Sequence, residues 1–555
     1  MMSTKKINHI LIIVILLLVN MTGSYYFFRI DLTEEKKYSI SKETKHILSN
    51  LDDIIYFKIY LHGSMPIEYK KLANETKHIL NEFRAYSNFI QYDFIDPSSI
   101  KNEEYKNSLQ EELYQKGITP IPERNYSKTK IEEFLIFPGI IATYKSKEDN
   151  IALIDETLMT NRELAIENSI EKLEYRIINS IRELQTSKKQ TIGILSGHGE
   201  TVNQFISSFR NIANEHYNTE DVIINAQLKS LKNIDCLIIN NPTKYMSEKD
   251  KFIIDQFIME GGKTIWLLSG TNANMDSLET QSETIILPRE NINLNDMLFK
   301  YGVRINFDLV QDLQAAPIPI ITHYLQDKPQ WDFFPWVFFP VINPKKGNTI
   351  TQKIDPVKTV FPSSIDTIKN NIKKTILLQT SSYTKITKTP ALINLESLKT
   401  KPNENEFNSG SKNISILLSG YFESVFKNRI SPTISDNQDI KFKGESLYNE
   451  MIVISDGFFL NNQFFKGNAL PLGLDKHTGI NYGNREFILN ALDYLLNNEE
   501  FINIRSKNIK NRLLDKTKIQ KHKTYWQLIN LVIPLVIIIL IGCLMLIFRR
   551  IKYKS

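Results

Sequence analysis

Two cysteines in 555 residues cannot build a disulfide framework. Neither Cys236 (IDCLII) nor Cys543 (LIGCLML) has the CxxC or Cys/His companion that a zinc site or a redox pair needs. Glycine (21) and proline (20) are also sparse, which excludes a collagen-like or low-complexity chain. With 42% hydrophobic and 23% charged residues the sequence is that of a globular protein with large cores and several domains in series. No sign of charge dominates: 68 Lys+Arg against 62 Asp+Glu leave +6, too slight over this length for a nucleic-acid footprint, which needs a clustered basic face. No GxxxxGK(S/T) loop occurs, so the chain is not expected to hydrolyse ATP by itself, and no GxSxG elbow marks a hydrolase. With nine histidines and no HExxH or HxH pair, neither a metal nor another cofactor is expected.

What the sequence does have is two long apolar runs. Residues 10–28 (ILIIVILLLVNMTGSYYFF) follow Lys5 and Lys6 and just suffice to cross a hydrocarbon core of about 30 Å. They read as a signal anchor, with a cleaved signal peptide as the competing reading. Residues 528–548 (LINLVIPLVIIILIGCLMLIF) carry no charge and are followed at once by RRIKYK, as in a transmembrane helix. Basic flanks at both ends place residues 1–9 and 549–555 in the cytoplasm and the body between the spans on the far side, a two-pass inner-membrane protein with a large periplasmic domain. The basic stretch 501–527 reads as a solvated helical stalk, or as a segment resting on anionic headgroups.

Between the spans the pattern is α/β. In 31–187, Ser41 offers a helix cap, DIIYFKIYL and FIQYDFIDP read as strands around a helix that starts behind Pro66, and further strands at Glu133–Tyr144 and Ile151–Ile154 precede a helix from Arg162 to Leu184. The outline is thioredoxin-like without redox cysteines. From 188 to 500, IGILSGHGE, a helix at Thr201–Ala213, and the apolar strands VIINAQ, IDCLIINNP, KTIWLLSG, ISILLSGYFE and MIVISDGFFL predict a flavodoxin-like, largely parallel sheet. An irregular, β-rich insertion covers about 274–413. Its aromatic cluster WDFFPWVFFPVINP (331–344) is either an exposed patch for a partner or membrane, or the inner face of the insertion, with core the favoured reading.

Ligands of such sheets bind outside the carboxyl ends of the strands, and those ends carry Ser196, His198, Glu200, Ser269, Ser419, Ser455 and Asp456. His198 and Glu200 in GHGE could bind a metal or move a proton, with Asp456 a distant third group. The simpler reading is a turn histidine that holds neighbouring backbone and an aspartate that shapes the turn before Gly457. His198, Glu200 and Asp456 are the candidate ligand-binding residues, and no catalytic residue is expected.

The segments FRIDLTEEKKYSIS, YLHGSMPIEYKKLANETKHILNEFRAYSNFIQYDFIDP, IGILSGHGE, NNPTKYMSEKDKFIIDQFIMEGGKTIWLL and GYFESVFKNR, in this order, resemble the gliding-motility-associated ABC transporter auxiliary family over nearly the whole chain. The resemblance implies a substrate-binding-like, non-catalytic subunit that works with a separate ABC permease, a separate ABC ATPase and components of the gliding machinery. It carries over no catalytic residue.

Overall fold

The computed structural model describes residues 15, 39–126, 131–154, 162–186, 188–281, 283–325, 328–429, 441–505 and 523–552. All of the expected N-terminal span at 10–28 except Ile15, and most of the basic stretch after Arg505, lie outside the described residues. The chain divides into a large compact unit, which holds the described residues from 39 to Arg505, and a small one, which holds the C-terminal helix.

In the first part of the large unit, Ser41 caps α1 (Lys42–Ser49), its hydroxyl accepting from the Thr44 amide at 3.1 Å. β1 (Ile55–Ile59), α2 (Ile67–Tyr86) and β2 (Ile90–Phe94) form the βαβ unit, with β1 and β2 parallel. The single strand expected over Glu133–Tyr144 is two strands. Pro138 has no N–H for a ladder, so the chain breaks there. Ile131–Ile136 pairs with Ile121–Tyr126, and β3 (Gly139–Tyr144) enters the main sheet beside β4 (Lys147–Ala152). The order is β2-β1-β3-β4. The expected helix Arg162–Leu184 also breaks, at Lys172 (φ −92°, ψ −1°), into α3 (Arg162–Glu171) and α4 (Leu173–Gln185). Buried Glu174 ties α4 to α1 by accepting from the Ser41 amide (2.7 Å) and the Thr44 hydroxyl (2.8 Å).

The second part is built on a seven-stranded sheet. β5 (Thr191–Leu195), α5 (Ser207–Asn214), β6 (Asn218–Val222), β7 (Cys236–Asn240), α6 (Glu248–Met259) and β8 (Lys263–Leu267) alternate as the pattern predicts. The chain then leaves the sheet for a β-rich region whose longest pieces, β9 (Ala315–Leu325) and β10 (Lys328–Ile342), form a hairpin. It returns as β11 (Lys373–Gln379), β12 (Asn413–Glu423) and β13 (Glu445–Ile454) and closes with α7 (Asn484–Leu495) and α8 (Glu499–Arg505). The strand order is β11-β12-β13-β8-β7-β5-β6. All contacts from β13 to β6 are parallel, whereas β12 runs against both of its neighbours. Ser419, on β12, therefore does not share the carboxyl edge of the parallel strands.

Side chains alternate between two buried faces. Ile192, Ile194 and Ile238 pack with α5 and α7, and Leu195, Leu237, Ile239 and Trp266 pack with α6. Burial pushes the Cys236 thiol up to about 12, so it is inert. Two expectations shift. The strand expected over VIINAQ ends at Val222, because Asn225 and Ala226 take positive φ (41° and 56°) and turn the chain; the ladder uses the polar edge segment Asn218–Val222 instead. The helix expected from Thr201 opens as a short 3-10 turn, Asn203–Ile206, before α5. The aromatic cluster divides: Trp336, Phe338 and Phe339 are core, while Trp331 and Phe333 are exposed.

The expected stalk does not begin at 501. α8 buries Phe501 and Ile504 in the core of the first part, with α1 and α4. At its end Arg505 joins three segments: Nη2 donates to Asp493 Oδ2 on α7 at 2.7 Å and to Asn490, and Nη1 donates to the Tyr175 hydroxyl on α4 at 3.2 Å. The Tyr217 hydroxyl donates to Asp493 Oδ1 at 2.6 Å, and Asn498 bridges Tyr217 and Gln190. Burial alone would lower the Arg505 pKa, but the charge of Asp493 outweighs it and holds the guanidinium firmly protonated. His216, within 3.0 Å of the Tyr175 hydroxyl, is pushed down to about 3 by burial and is neutral.

In the small unit, α9 (Lys523–Lys552) contains a 23-residue stretch, Gln527–Arg549, whose most apolar 18-residue window has a mean hydropathy of 3.3. It is long and apolar enough to cross a membrane.

Asp493 is only 1% exposed. Arg505→Gln leaves that carboxylate buried without its cation and should cost about 3–5 kcal/mol, read by urea denaturation of the full chain in detergent. A loss below about 1 kcal/mol would mean that the pair behaves as a surface ion pair.

Candidate functional site

The chain order around β5 decides where a ligand crevice could lie. β6 follows β5 on one side and β7 lies on the other, and the connecting helices α5 and α6 cover opposite faces. The topological switch is therefore between the carboxyl ends of β5 and β7. GHGE (197–200) follows β5, and Asn240 ends β7 with Asn241 just after it.

His198 stands here between two carboxylates. Its Nε2 lies 3.2 Å from Asp250 Oδ2. Its Nδ1 lies 3.3 Å from Glu200 Oε1, an ion-pair contact without hydrogen-bond alignment, so both atoms count as buried without a hydrogen bond. Glu200 also accepts from the His198 amide at 2.7 Å. The Glu200 carboxylate beside the ring, with Asp250 in support, raises the His198 pKa against the opposing effect of burial. Burial would raise the Asp250 carboxyl, but the Ala226 amide, the Ser247 hydroxyl and His198 outweigh it and hold the group low. Ser247 is the N-cap of α6 and Asp250 its third residue.

The same loop is stitched shut by backbone. The His198 carbonyl accepts from the Thr243 and Lys244 amides at 2.9 and 2.8 Å, and the Asn240 carbonyl accepts from Thr201 at 3.3 Å. Gly199 has φ +75°, and a Cβ there would lie 2.3 Å from Thr243 Oγ1, so only glycine lets the two loops meet. Asn240 is 1% exposed, and neither side-chain polar atom has a partner among the described residues.

Asp456 follows β13, three strand spacings from β5, or roughly 14 Å at about 4.8 Å each. It accepts from the Val360 and Phe458 amides, both at 2.8 Å, and burial pushes its carboxyl up to about 7. The structure thus brings His198 and Glu200 together and sets Asp456 apart, holding a turn. Ser455 donates to the Ile414 carbonyl at 3.3 Å, and Ser269 accepts from the Gly457 amide at 3.2 Å. Among the described residues no group of three His, Cys, Asp or Glu could hold a metal ion, and both imidazole nitrogens of His198 already face carboxylates. The arrangement can hold a charged imidazole and fix two loops, and it presents no activated nucleophile. Asp250 was missed by sequence reasoning, although Ser247 with an acid three residues on is a capping-box signal.

Elsewhere, an open groove of about 740 Å³ between α2 and α3 is lined by Ile67, Lys70, Lys71, His78, Glu163 and Glu167. No residue singled out in the sequence lies in it.

A family model described as "ABC-type uncharacterized transport system" matches residues 189–491, the whole of the seven-stranded sheet with its insertion and more than half of the chain. The chain belongs to this family of transport-system auxiliary proteins. A second model, a domain of unknown function, matches residues 34–143. An uncharacterized protein of Borreliella burgdorferi is 24% identical over 555 residues, covering 97% of each chain. Among solved structures, the mmIFT52 N-terminal domain is 13% identical and covers 55% of this chain and 97% of that one, with a TM-score of 0.32, too low to carry an argument.

Because the His198 pKa is raised on folding, the charged ring stabilises the fold below the unfolded value of about 6.5, and that contribution is lost as pH rises through the folded value. His198→Gln should therefore lower the urea midpoint more at about pH 5.5 than at about pH 9; equal losses would contradict a paired imidazolium. Asp456 also binds its proton more tightly when folded, so its contribution falls as pH rises from about 4 to about 7. Asp456→Asn should flatten the stability profile over that window, and an unchanged slope would mean that this carboxyl ionises normally.

Proposed function

We propose that the chain is a membrane-anchored, non-catalytic accessory subunit of an ABC transport system, acting with a separate permease and a separate ATPase. The observation that carries the reading is the family match over the whole sheet domain. The absence of a phosphate-binding loop in the sequence supports a division of labour in which another subunit hydrolyses ATP. The apolar stretch Gln527–Arg549 supports anchoring. With the apolar run at 10–28 as a second span, both termini are cytoplasmic and the body faces the periplasm. The strand orders β2-β1-β3-β4 and β13-β8-β7-β5-β6 support the thioredoxin-like and flavodoxin-like outlines. A place in gliding motility rests on the resemblance of the sequence segments alone.

The self-paired state of His198, Glu200 and Asp250 favours this reading over a ligand sensor or enzyme working at the carboxyl edge, since the groups such a site would use already hold each other. If the edge did carry the function, His198→Ala would abolish it without lowering the amount of folded protein.

The test is a gentle-detergent pull-down of the full chain with mass spectrometry. An ABC permease and an ABC ATPase recovered in fixed proportion are the expected result. A chain recovered alone, with its apolar helix intact, would contradict the proposal.

A further inference from the structure

The hairpin β9–β10 breaks the usual rule for a half-covered antiparallel ribbon, in which the face turned to water is polar. Its strands, Ala315–Leu325 and Lys328–Ile342, are 11 and 15 residues long, about twice or more the common strand length. In the register Pro317 faces Pro335, Pro319 faces Phe333 and Ile321 faces Trp331. Directly opposed residues share a face, so these six side chains form one apolar ladder. The other face, with Ile318, Ile320 and Phe334, packs on the core of the β-rich region. The ladder is in solvent: Trp331 is 53% exposed, Phe333 47% and Ile321 37%. Asp332 lies on the opposite face, opposed to Ile320, and accepts from the Thr322 hydroxyl at 2.6 Å. The outer face therefore carries no charge among these positions.

We propose that this ladder rests in the interfacial layer of the lipid bilayer, with Trp331 and Phe333 at headgroup depth. Three observations select that occupant. The same chain carries the apolar helix Gln527–Arg549, so the body is tethered to a bilayer on the anchoring reading given above, on which this inference rests. Tryptophan and phenylalanine beside aliphatic side chains are the residue types that membrane interfaces favour. Pro317, Pro319 and Pro335 lack the N–H groups that a strand from a second copy would need for edge pairing, which makes the ribbon a poor template for self-association.

The test uses the full chain in lipid nanodiscs with lipids brominated near the headgroup end of the acyl chains, which quench tryptophan at that depth. The chain has four tryptophans, of which Trp266 and Trp336 are buried. Trp526 immediately precedes the apolar stretch and reports the anchor. In Trp526→Phe, emission should fall in brominated relative to unbrominated discs through quenching of Trp331, and the double variant Trp526→Phe/Trp331→Phe should lose that response. If Trp331→Phe, which keeps Trp526, is quenched while Trp526→Phe is not, the anchor stands and the hairpin proposal falls. If neither is quenched, the anchoring reading falls and takes this one with it. Protection of Trp331 from aqueous iodide without quenching by brominated lipid would place a protein on the ladder and overturn the proposal.

Discussion

The large unit depends on one buried ion pair. Arg505 and Asp493 meet at 2.7 Å where α8, α7 and α4 converge, and each is bonded further into the segments around it: Arg505 to Tyr175 and Asn490, Asp493 to Tyr217. A guanidinium and a carboxylate taken out of water are costly unless their remaining hydrogen-bonding positions are filled. The Tyr175 and Tyr217 hydroxyls and the Asn490 amide oxygen fill several of them, Arg505 Nε has no partner among the described residues, and neutral His216 adds no charge to the cluster. The consequence is structural specificity. α8 comes back from the sheet domain to complete the core of the first α/β part, and the pair fixes where it ends.

The carboxyl edge of the sheet follows the same logic on a smaller scale. Apart from Asn240, the polar groups singled out there are engaged with other protein groups: His198 with Glu200 and Asp250, Asp456 with two backbone amides, Ser269 with Gly457. An edge closed in this way suits a protein that works by association, which is the role the transport-system family points to. The surface that is left unpaired is apolar and lies on the β-rich region, away from the positions the sequence singled out.

The sequence made the repeating elements legible where local chemistry decides them. Ser41 as a cap, Pro66 as a helix start, and the runs IGIL, CLIIN and KTIWL as buried parallel strands all follow from side-chain type and spacing over a few residues. The misreadings come from longer-range effects. Pro138 divides a strand that hydrophobicity alone would run through, and beyond Val222 the chain leaves the ladder, with Ile224 buried in the core and Ile223 exposed. The reversed direction of β12, which moves Ser419 off the common edge, is a matter of topology that no local pattern carries. The site was half legible: GHGE stands out as a turn, but Asp250 reaches His198 from 52 residues away, and the strand order alone shows that Asp456 lies too far off to join them. Arg505 was hidden in a basic stretch, where a buried cation looks like its solvated neighbours.

If the Arg505 junction makes one cooperative body of the two α/β parts, the most direct measurement is native-state hydrogen exchange on the full chain in detergent, comparing peptides from α4 with peptides from α7. The account predicts that the slowest amides of both helices open together, with the same free energy and the same dependence on denaturant. Separate opening of α4 at a clearly lower free energy, while α7 stays protected, would show two independent domains and contradict it.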